Sequence, residues 1–125
     1  MRYMLMVKAT GYSEARVNHS REYNEAMIAY KKTLAKAGAL LATEELQPSS
    51  AGIRISYPAY GENPEILAGP FPVDQKLVAE YTLIDAKTEE DALNWALQMP
   101  VPAGRGEFEI ELRRLEENLD NLTRS

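Results

Sequence analysis

Two adjacent glutamates, Glu44 and Glu45, are the acids whose setting most favours a chemical role. They lie in a strand-like segment closed by Pro48, and side chains alternate between the two faces of a strand. The two carboxylates therefore point to opposite faces and do not form one paired-carboxylate site. One of them faces inward or toward an interface, where it needs a partner because burying an unpaired charge is costly. Lys8 and Arg54 are candidate partners. Glu44 either forms a structural ion pair or binds a ligand, and the sequence leaves both alternatives open.

Two further polar side chains join Glu44, Lys8 and Arg54 as candidates for lining a small-molecule site. Gln47 ends the same strand, where it either hydrogen-bonds a ligand or is solvated. Tyr81 offers an apolar ring with a polar tip, which suits a pocket, although a place in the core or an interface is the alternative. No residue is assigned a catalytic role.

The chain has one histidine and no cysteine. A disulfide framework, a thiolate nucleophile and Cys-ligated zinc are therefore excluded. His19 titrates near neutrality and can act as a general base, but it lies in a polar loop with no acid placed to orient it. We interpret it as a surface residue. Because no acidic cluster or phosphate-binding glycine loop is present, we expect neither a metal nor a cofactor.

The stretch "ILAGPFPVDQK" joins two aliphatic residues to a strand-like run. Pro70 and Pro72 fix φ and remove N–H donors, which stiffens the entry to the strand. Phe71 between them is typical of an anchor residue, and Asp74 of a turn or helix cap. Together with Gly69, these residues indicate a structural connector.

The apolar spacing predicts six strands and two helices. The helices begin after the caps Ser20 and Thr88, and the first ends at Gly38. "TGYSEARVNHS" reads as a loop. The order β-α-β-β-β-β-α-β, in which the fourth strand is short, predicts an α+β fold: a ferredoxin-like antiparallel sheet with two helices on one face. We expect one domain over residues 1–115, followed by a tail, 116–125, whose leucines favour a short helix.

The first strand and "LVAEYTLIDA" are apolar on both faces, so the sheet face away from the helices needs a cover. A second copy of the chain is the natural cover, which predicts a homodimer with sheets face to face.

Acidic residues outnumber basic ones, 19 to 14, which argues against nucleic-acid binding. No stretch approaches the roughly 18 to 20 apolar residues that span a bilayer. We expect a cytoplasmic protein without membrane contact.

Five blocks resemble the YCII-related family, in its DGPF-domain branch: "RYMLMVKA", "YKKTLAKAGALLATEELQPSS", "AGPF", "YTLIDAKTEEDALNWALQMP" and "GEFEIELRRL". The resemblance implies a ferredoxin-like fold that dimerises into an α+β barrel, and an association with sigma factors. Three departures stand out. Ala68 replaces the aspartate of Asp-Gly-Pro-Phe, and Glu80 replaces a glycine. The resemblance to the YCII branch implies a dyad of a histidine in the first helix and an aspartate after the second. Here Met27 stands at the histidine position, and residues 98–100 contain no acid.

Three classes of function follow from these observations. The leading one is a dimeric small-molecule-binding protein without a cofactor. The second, implied by the resemblance, is a cofactor-independent lyase or isomerase acting on a small organic acid or phenolic compound. The third is a regulatory interaction module linked to sigma-factor regulation. A binding protein predicts a pocket with polar groups, whereas an interaction module predicts an exposed apolar patch and no pocket of useful size.

Overall fold

The computed structural model describes residues 1–74 and 76–117. Its elements are β1 (Arg2–Lys8), α1 (Gly11–Glu14), α2 (Arg21–Lys36), β2 (Leu40–Glu45), β3 (Ile53–Ser56), β4 (Glu65–Ala68), β5 (Val78–Asp85), α3 (Glu89–Leu97) and β6 (Ile110–Arg114). A 3₁₀ turn spans Ser49–Ala51. The tail helix is predicted from Leu115, Leu119 and Leu122: Leu115 lies outside any helix, and the other two leucines lie outside the described residues. Within the described residues, no helix has the length and apolar character to cross a bilayer.

Both predicted helix starts are confirmed. The Ser20 hydroxyl accepts a hydrogen bond from the Tyr23 N–H at 3.1 Å, and the Thr88 hydroxyl accepts one from the Asp91 N–H at 3.1 Å. Each bond satisfies a backbone donor that the first turn leaves without a helical partner. Gly38 follows α2 at a φ of +71°, the left-handed conformation that glycine adopts without strain.

The predicted loop after β1 contains a short helix, α1. Its cause is a reciprocal cap: the Ser13 N–H donates to the Thr10 hydroxyl, and the Thr10 N–H donates to the Ser13 hydroxyl. The prediction of an unstructured loop was wrong here, because two small hydroxyl residues three apart suffice to start a helical turn.

Strands β2, β5, β1 and β6 form one antiparallel sheet in that spatial order. Tyr3, Leu5 and Val7 alternate along β1 toward the buried face, as the pleat requires. The buried cluster continues from these three onto both long helices and their flanks through Met27, Tyr30, Leu34, Ala92 and Met99. The α+β class and the antiparallel sheet are confirmed, and α2 and α3 pack against the same face.

The opposite face, here called the open face, carries the residues that alternate with the core. Cross-strand pairing places Met4 beside Leu83 and Met6 beside both Tyr81 and Glu111. The apolar members of this set are half-buried, so they keep part of their surface exposed to solvent. This is the face for which a second chain is predicted as the cover.

Strands β3 and β4 do not join the main sheet; they form a separate two-stranded hairpin. Ile53, Ile55 and Tyr57, predicted to share one strand face, are 68%, 61% and 67% exposed. The alternation identified β3 correctly as a strand. It did not predict the neighbouring strand, because an alternation with period 2 specifies which face of a strand is apolar and not the sheet to which the strand belongs.

Candidate functional site

One end of the main sheet gathers most of the polar candidates. β1 ends at Lys8 and β2 ends at Glu45, whereas β5 begins at Val78 and β6 at Ile110. Because neighbouring strands are antiparallel, all four of these termini meet at the same end. Two clefts open there.

The first, called the Arg105 cleft, has a volume of about 670 Å³. Its apolar lining includes Ala15, Val17, Val73 and the ring of Tyr12. Its charged lining consists of Lys8, Asp74, Arg105, Glu107 and Glu109.

Arg105 is held in this cleft by three contacts. Its Nη2 donates to the carbonyl oxygens of Val17 (3.3 Å) and Asn18 (2.5 Å), and its guanidinium lies 5.0 Å from the centroid of the Tyr12 ring. Within the described residues, Nη1 and Nε donate no hydrogen bond. The guanidinium is thus fixed in place while keeping donors for an anion.

The charges of the Arg105 cleft are arranged asymmetrically. Arg105 and Lys8 are half-buried, whereas Asp74, Glu107 and Glu109 are exposed. Lys8 Nζ lies 3.0 Å from Glu111, and the hydrogen bonds from Lys8 and Arg113 lower the pKa of the Glu111 carboxyl. The cationic groups therefore lie in the wall and the acids at the rim.

The second cleft, called the hairpin cleft, has a volume of about 450 Å³ and includes Gln47, Arg54 and Phe71 in its lining. The Arg54 guanidinium lies 4.0 Å from the centroid of the Phe71 ring, a cation–π contact. Gln47 Oε1 accepts a hydrogen bond from Arg16. Both Gln47 and Arg54 of this cleft are thus already engaged by protein groups.

The Gly-Pro-Phe loop has the connector role that its prolines predict. The Phe71 N–H donates to the Ser49 hydroxyl at 2.9 Å, and the Gly69 N–H donates to the Gly52 carbonyl at 2.9 Å. Ser49 is buried, and both its N–H and its hydroxyl donate to the Glu14 carboxylate. The Gly69–Pro70 peptide bond is cis. This network fastens the loop to α1 and to the 3₁₀ turn.

Asp74 caps a turn, as predicted: its Oδ1 accepts from the Lys76 N–H at 2.7 Å.

Glu44 lies opposite Tyr81 on the open face, and Glu45 lies opposite Glu80 on the helix side of the sheet. The two glutamates therefore point to opposite faces, as the strand geometry predicts. Both are exposed in the single chain.

Sequence reasoning missed a cluster around His19. The imidazole is half-buried and stacks on Tyr23 with ring centroids 4.1 Å apart. Burial lowers the pKa of His19, with a further lowering from Arg105, while Glu45 opposes the shift. Burial, reinforced by Glu80 and Glu45, raises the pKa of Tyr23 to about 12. His19 lies in the loop before α2, as predicted, but its ring is half-buried and Glu45 acts on it electrostatically, which the sequence did not indicate.

Glu80 completes this cluster. It shares the helix side of β5 with Thr82 and Ile84, which are buried. Burial raises the pKa of the Glu80 carboxyl and Glu45 raises it further, while Lys31 partly offsets both. A signal for Glu80 existed in the sequence: it is the acid inside the apolar run "LVAEYTLIDA", in phase with the residues that face the core. No comparable signal linked it to His19.

The strand order, the one-sided helical layer and the clefts at one sheet end define an α+β protein with room for a small ligand. A family model described as the YCII-related domain matches residues 1–114, so the chain belongs to the YCII-related family. The predicted family is confirmed, while its DGPF branch stays a prediction. A search of the curated proteins finds no match.

Proposed function

We propose that this chain is a small-molecule-binding protein that takes a small carboxylate or phenolic compound in the Arg105 cleft. The proposal rests on Arg105, whose guanidinium is hydrogen-bonded to two backbone carbonyls and keeps further N–H donors for a ligand. Tyr12, Val17 and Val73 supply apolar surface beside it. A ligand with an anionic end and an apolar body matches both parts of the lining.

The size of the cleft supports a small ligand. Its volume, about 670 Å³, lies inside the range of roughly 300–1,000 Å³ typical of small-molecule sites. The exposed isoleucines of the β3–β4 hairpin are the feature that favours an interaction module. The Arg105 cleft and the hairpin cleft favour the binding protein.

Replacing Arg105 with alanine should weaken the binding of phenylacetate, a small aromatic carboxylate, at least tenfold. The variant loses the charge-assisted hydrogen bonds to the carboxylate, and tenfold corresponds to about 1.4 kcal/mol. Isothermal titration calorimetry measures the difference. The matched control is Arg21→Ala, since Arg21 lies on the exposed surface of α2, paired with Glu25. Equal affinity in wild type and Arg105→Ala, or no binding by wild type, contradicts the proposal.

We further propose that the protein is a homodimer in which the open faces of two ferredoxin-like sheets pack together into an α+β barrel. The strand order β2-β5-β1-β6 supports the ferredoxin-like part. Met4, Met6 and Leu83 support the dimer, since these apolar side chains keep exposed surface in the single chain. Glu44 and Tyr81 would then line the barrel interior, and Lys8 would connect it to the Arg105 cleft.

Leu83→Lys should convert the dimer to a monomer, because it places a charge in the centre of the proposed interface. Light scattering on the wild type should give twice the chain mass of 14.0 kDa. The control, Leu93→Lys, alters an exposed leucine of α3 and should stay dimeric. A wild-type mass of 14.0 kDa at micromolar concentration contradicts the dimer.

A further inference from the structure

The two cationic groups of the Arg105 cleft differ in whether a carboxylate neutralises them. The Lys8 ammonium is paired with the Glu111 carboxylate at 3.0 Å. Arg105 is held by backbone carbonyl oxygens and, within residues 1–74 and 76–117, forms no ion pair. The cleft therefore contains a guanidinium whose charge is not balanced by any carboxylate of the described residues.

The three acids that line this cleft differ in the same way. Asp74 Oδ1 accepts from the Lys76 N–H at 2.7 Å, so this carboxylate stabilises a turn. The carboxylates of Glu107 and Glu109 form neither an ion pair nor a hydrogen bond with another described residue. The Glu109 backbone is fixed, since its carbonyl accepts from the Lys8 N–H at 3.0 Å. Glu107 and Glu109 therefore present carboxylates that a ligand can engage.

Opposite charges thus line one cleft without pairing to each other. Glu107 is only two residues from Arg105 in the chain, yet the guanidinium is hydrogen-bonded to the carbonyls of Val17 and Asn18. Its position beside the Tyr12 ring adds a further contact on that side. An anchored cation in the wall and free carboxylates at the rim are complementary to a ligand that carries both charges.

A ligand with a carboxylate alone matches only part of this lining. Arg105 would bind its anionic end, while the two exposed glutamates would repel it. An ammonium group on the same ligand turns that repulsion into attraction, because it brings a positive charge and three N–H donors for carboxylate oxygens.

The place of the charged lining in the chain indicates how the two ligand charges are spaced. Arg105, Glu107 and Glu109 all belong to the short segment 105–109, whereas the apolar lining comes from Tyr12, Val17 and Val73. A ligand that fits both parts has its two charged groups at one end and its apolar body at the other. An ammonium and a carboxylate on the same carbon atom meet this requirement.

We propose that the Arg105 cleft binds an α-amino acid with an apolar side chain. Arg105 binds the carboxylate, Glu107 and Glu109 bind the ammonium group, and the side chain lies against Val17 and Val73. The inference rests on the proposed ligand site and names the class of ligand that this site takes.

Three ligands isolate the contribution of each charge: L-phenylalanine, 3-phenylpropanoate, which lacks only the ammonium group, and phenethylamine, which lacks only the carboxylate. Isothermal titration calorimetry on wild type should give a Kd for L-phenylalanine at least about fivefold below that for 3-phenylpropanoate, since two exposed ion pairs each add a modest gain. Phenethylamine should also bind more weakly than L-phenylalanine, because it has no group for Arg105. Added NaCl should reduce the preference for L-phenylalanine, because exposed charges are screened by salt.

The double variant Glu107→Gln with Glu109→Gln tests the assigned acids. It should raise the Kd for L-phenylalanine to near that for 3-phenylpropanoate, while the Kd for 3-phenylpropanoate stays the same or falls. Glu62→Gln, in the exposed turn between β3 and β4, is the matched control. It should leave both Kd values within about twofold of wild type, as is usual for a surface substitution away from a site.

The outcomes separate this inference from the ligand site on which it rests. Wild type that binds 3-phenylpropanoate as tightly as L-phenylalanine, or more tightly, overturns the amino-acid site and leaves the carboxylate site at Arg105 standing. A preference for L-phenylalanine that persists in the double variant overturns the role of Glu107 and Glu109. Wild type that binds none of L-phenylalanine, 3-phenylpropanoate and phenylacetate overturns the ligand site as well.

Discussion

Gly69→Ala should destabilise the protein by roughly 3 kcal/mol, since forcing an extra methyl group into a packed site typically costs about 1–3 kcal/mol and occasionally more. A β-carbon at Gly69 would lie 1.8 Å from the Ser49 carbonyl oxygen and 2.7 Å from its carbonyl carbon. Both are backbone atoms, so relief requires the loop or the 3₁₀ turn to move. That movement would also stretch the hydrogen bonds of Gly69 to Gly52 and of Phe71 to Ser49.

Thermal unfolding followed by circular dichroism measures the effect, and a loss of that size lowers Tm by about 10 °C in a domain of this length. Gly11→Ala is the matched control, because nothing lies within 4 Å of a β-carbon placed there and its φ is not positive. Its Tm should stay within about 2 °C of wild type. Equal Tm values for the two variants would contradict the close approach of Gly69 to Ser49.

Glu80→Gln should stabilise the protein by about 1–2 kcal/mol at neutral pH, because it removes a carboxylate from a half-buried position beside Glu45. The sign of the pH dependence follows from the raised pKa of Glu80. The folded state disfavours the ionised form, so the destabilisation is present above the folded-state pKa. It disappears as pH falls through that value toward the ordinary glutamate pKa, near 4.3.

Urea unfolding, followed by the fluorescence of the single tryptophan, Trp95, gives the free energy of unfolding at each pH. The advantage of Glu80→Gln should shrink on acidification. His19→Gln is an informative comparison because its trend is opposite. The lowered pKa of His19 makes protonation costly in the folded state, so this variant should gain on wild type as pH falls below about 6.5. A constant difference between Glu80→Gln and wild type across the range would show that burial does not perturb Glu80.

The main elements could be predicted from the sequence because local signals specify them. Ser20 and Thr88 mark the helix starts, and the spacing of Met27, Tyr30 and Leu34 identifies the buried face of α2. The continuous apolar run of β1 predicted a central strand, whereas the alternation of buried and half-buried residues along it is a finding of the structure. The family resemblance agreed with this order of elements. The match of the family model over residues 1–114 confirms the family.

The candidate site was predicted less completely, since its contacts join residues far apart in the chain. Arg105 binds carbonyls 87 and 88 positions earlier. The groups that act electrostatically on His19, Arg105 and Glu45, both lie far from it in the sequence, and no spacing rule predicts their approach. Lys8 and Arg54 were considered as partners of an inward glutamate, whereas the structure joins Lys8 to Glu111 and Arg54 to Phe71. Composition cannot choose among such pairings.

Ligand binding beside Arg105 is tested most directly by backbone ¹H–¹⁵N chemical-shift mapping during titration with phenylacetate. The amides of Tyr12, Val17 and Arg105 should shift together and saturate with one dissociation constant. Arg105→Ala should remove these shifts, while Arg21→Ala should leave them intact. Saturable shifts confined to the open face, at Glu44 and Tyr81, or no saturable shifts at all, would contradict the assignment of the Arg105 cleft as the binding site.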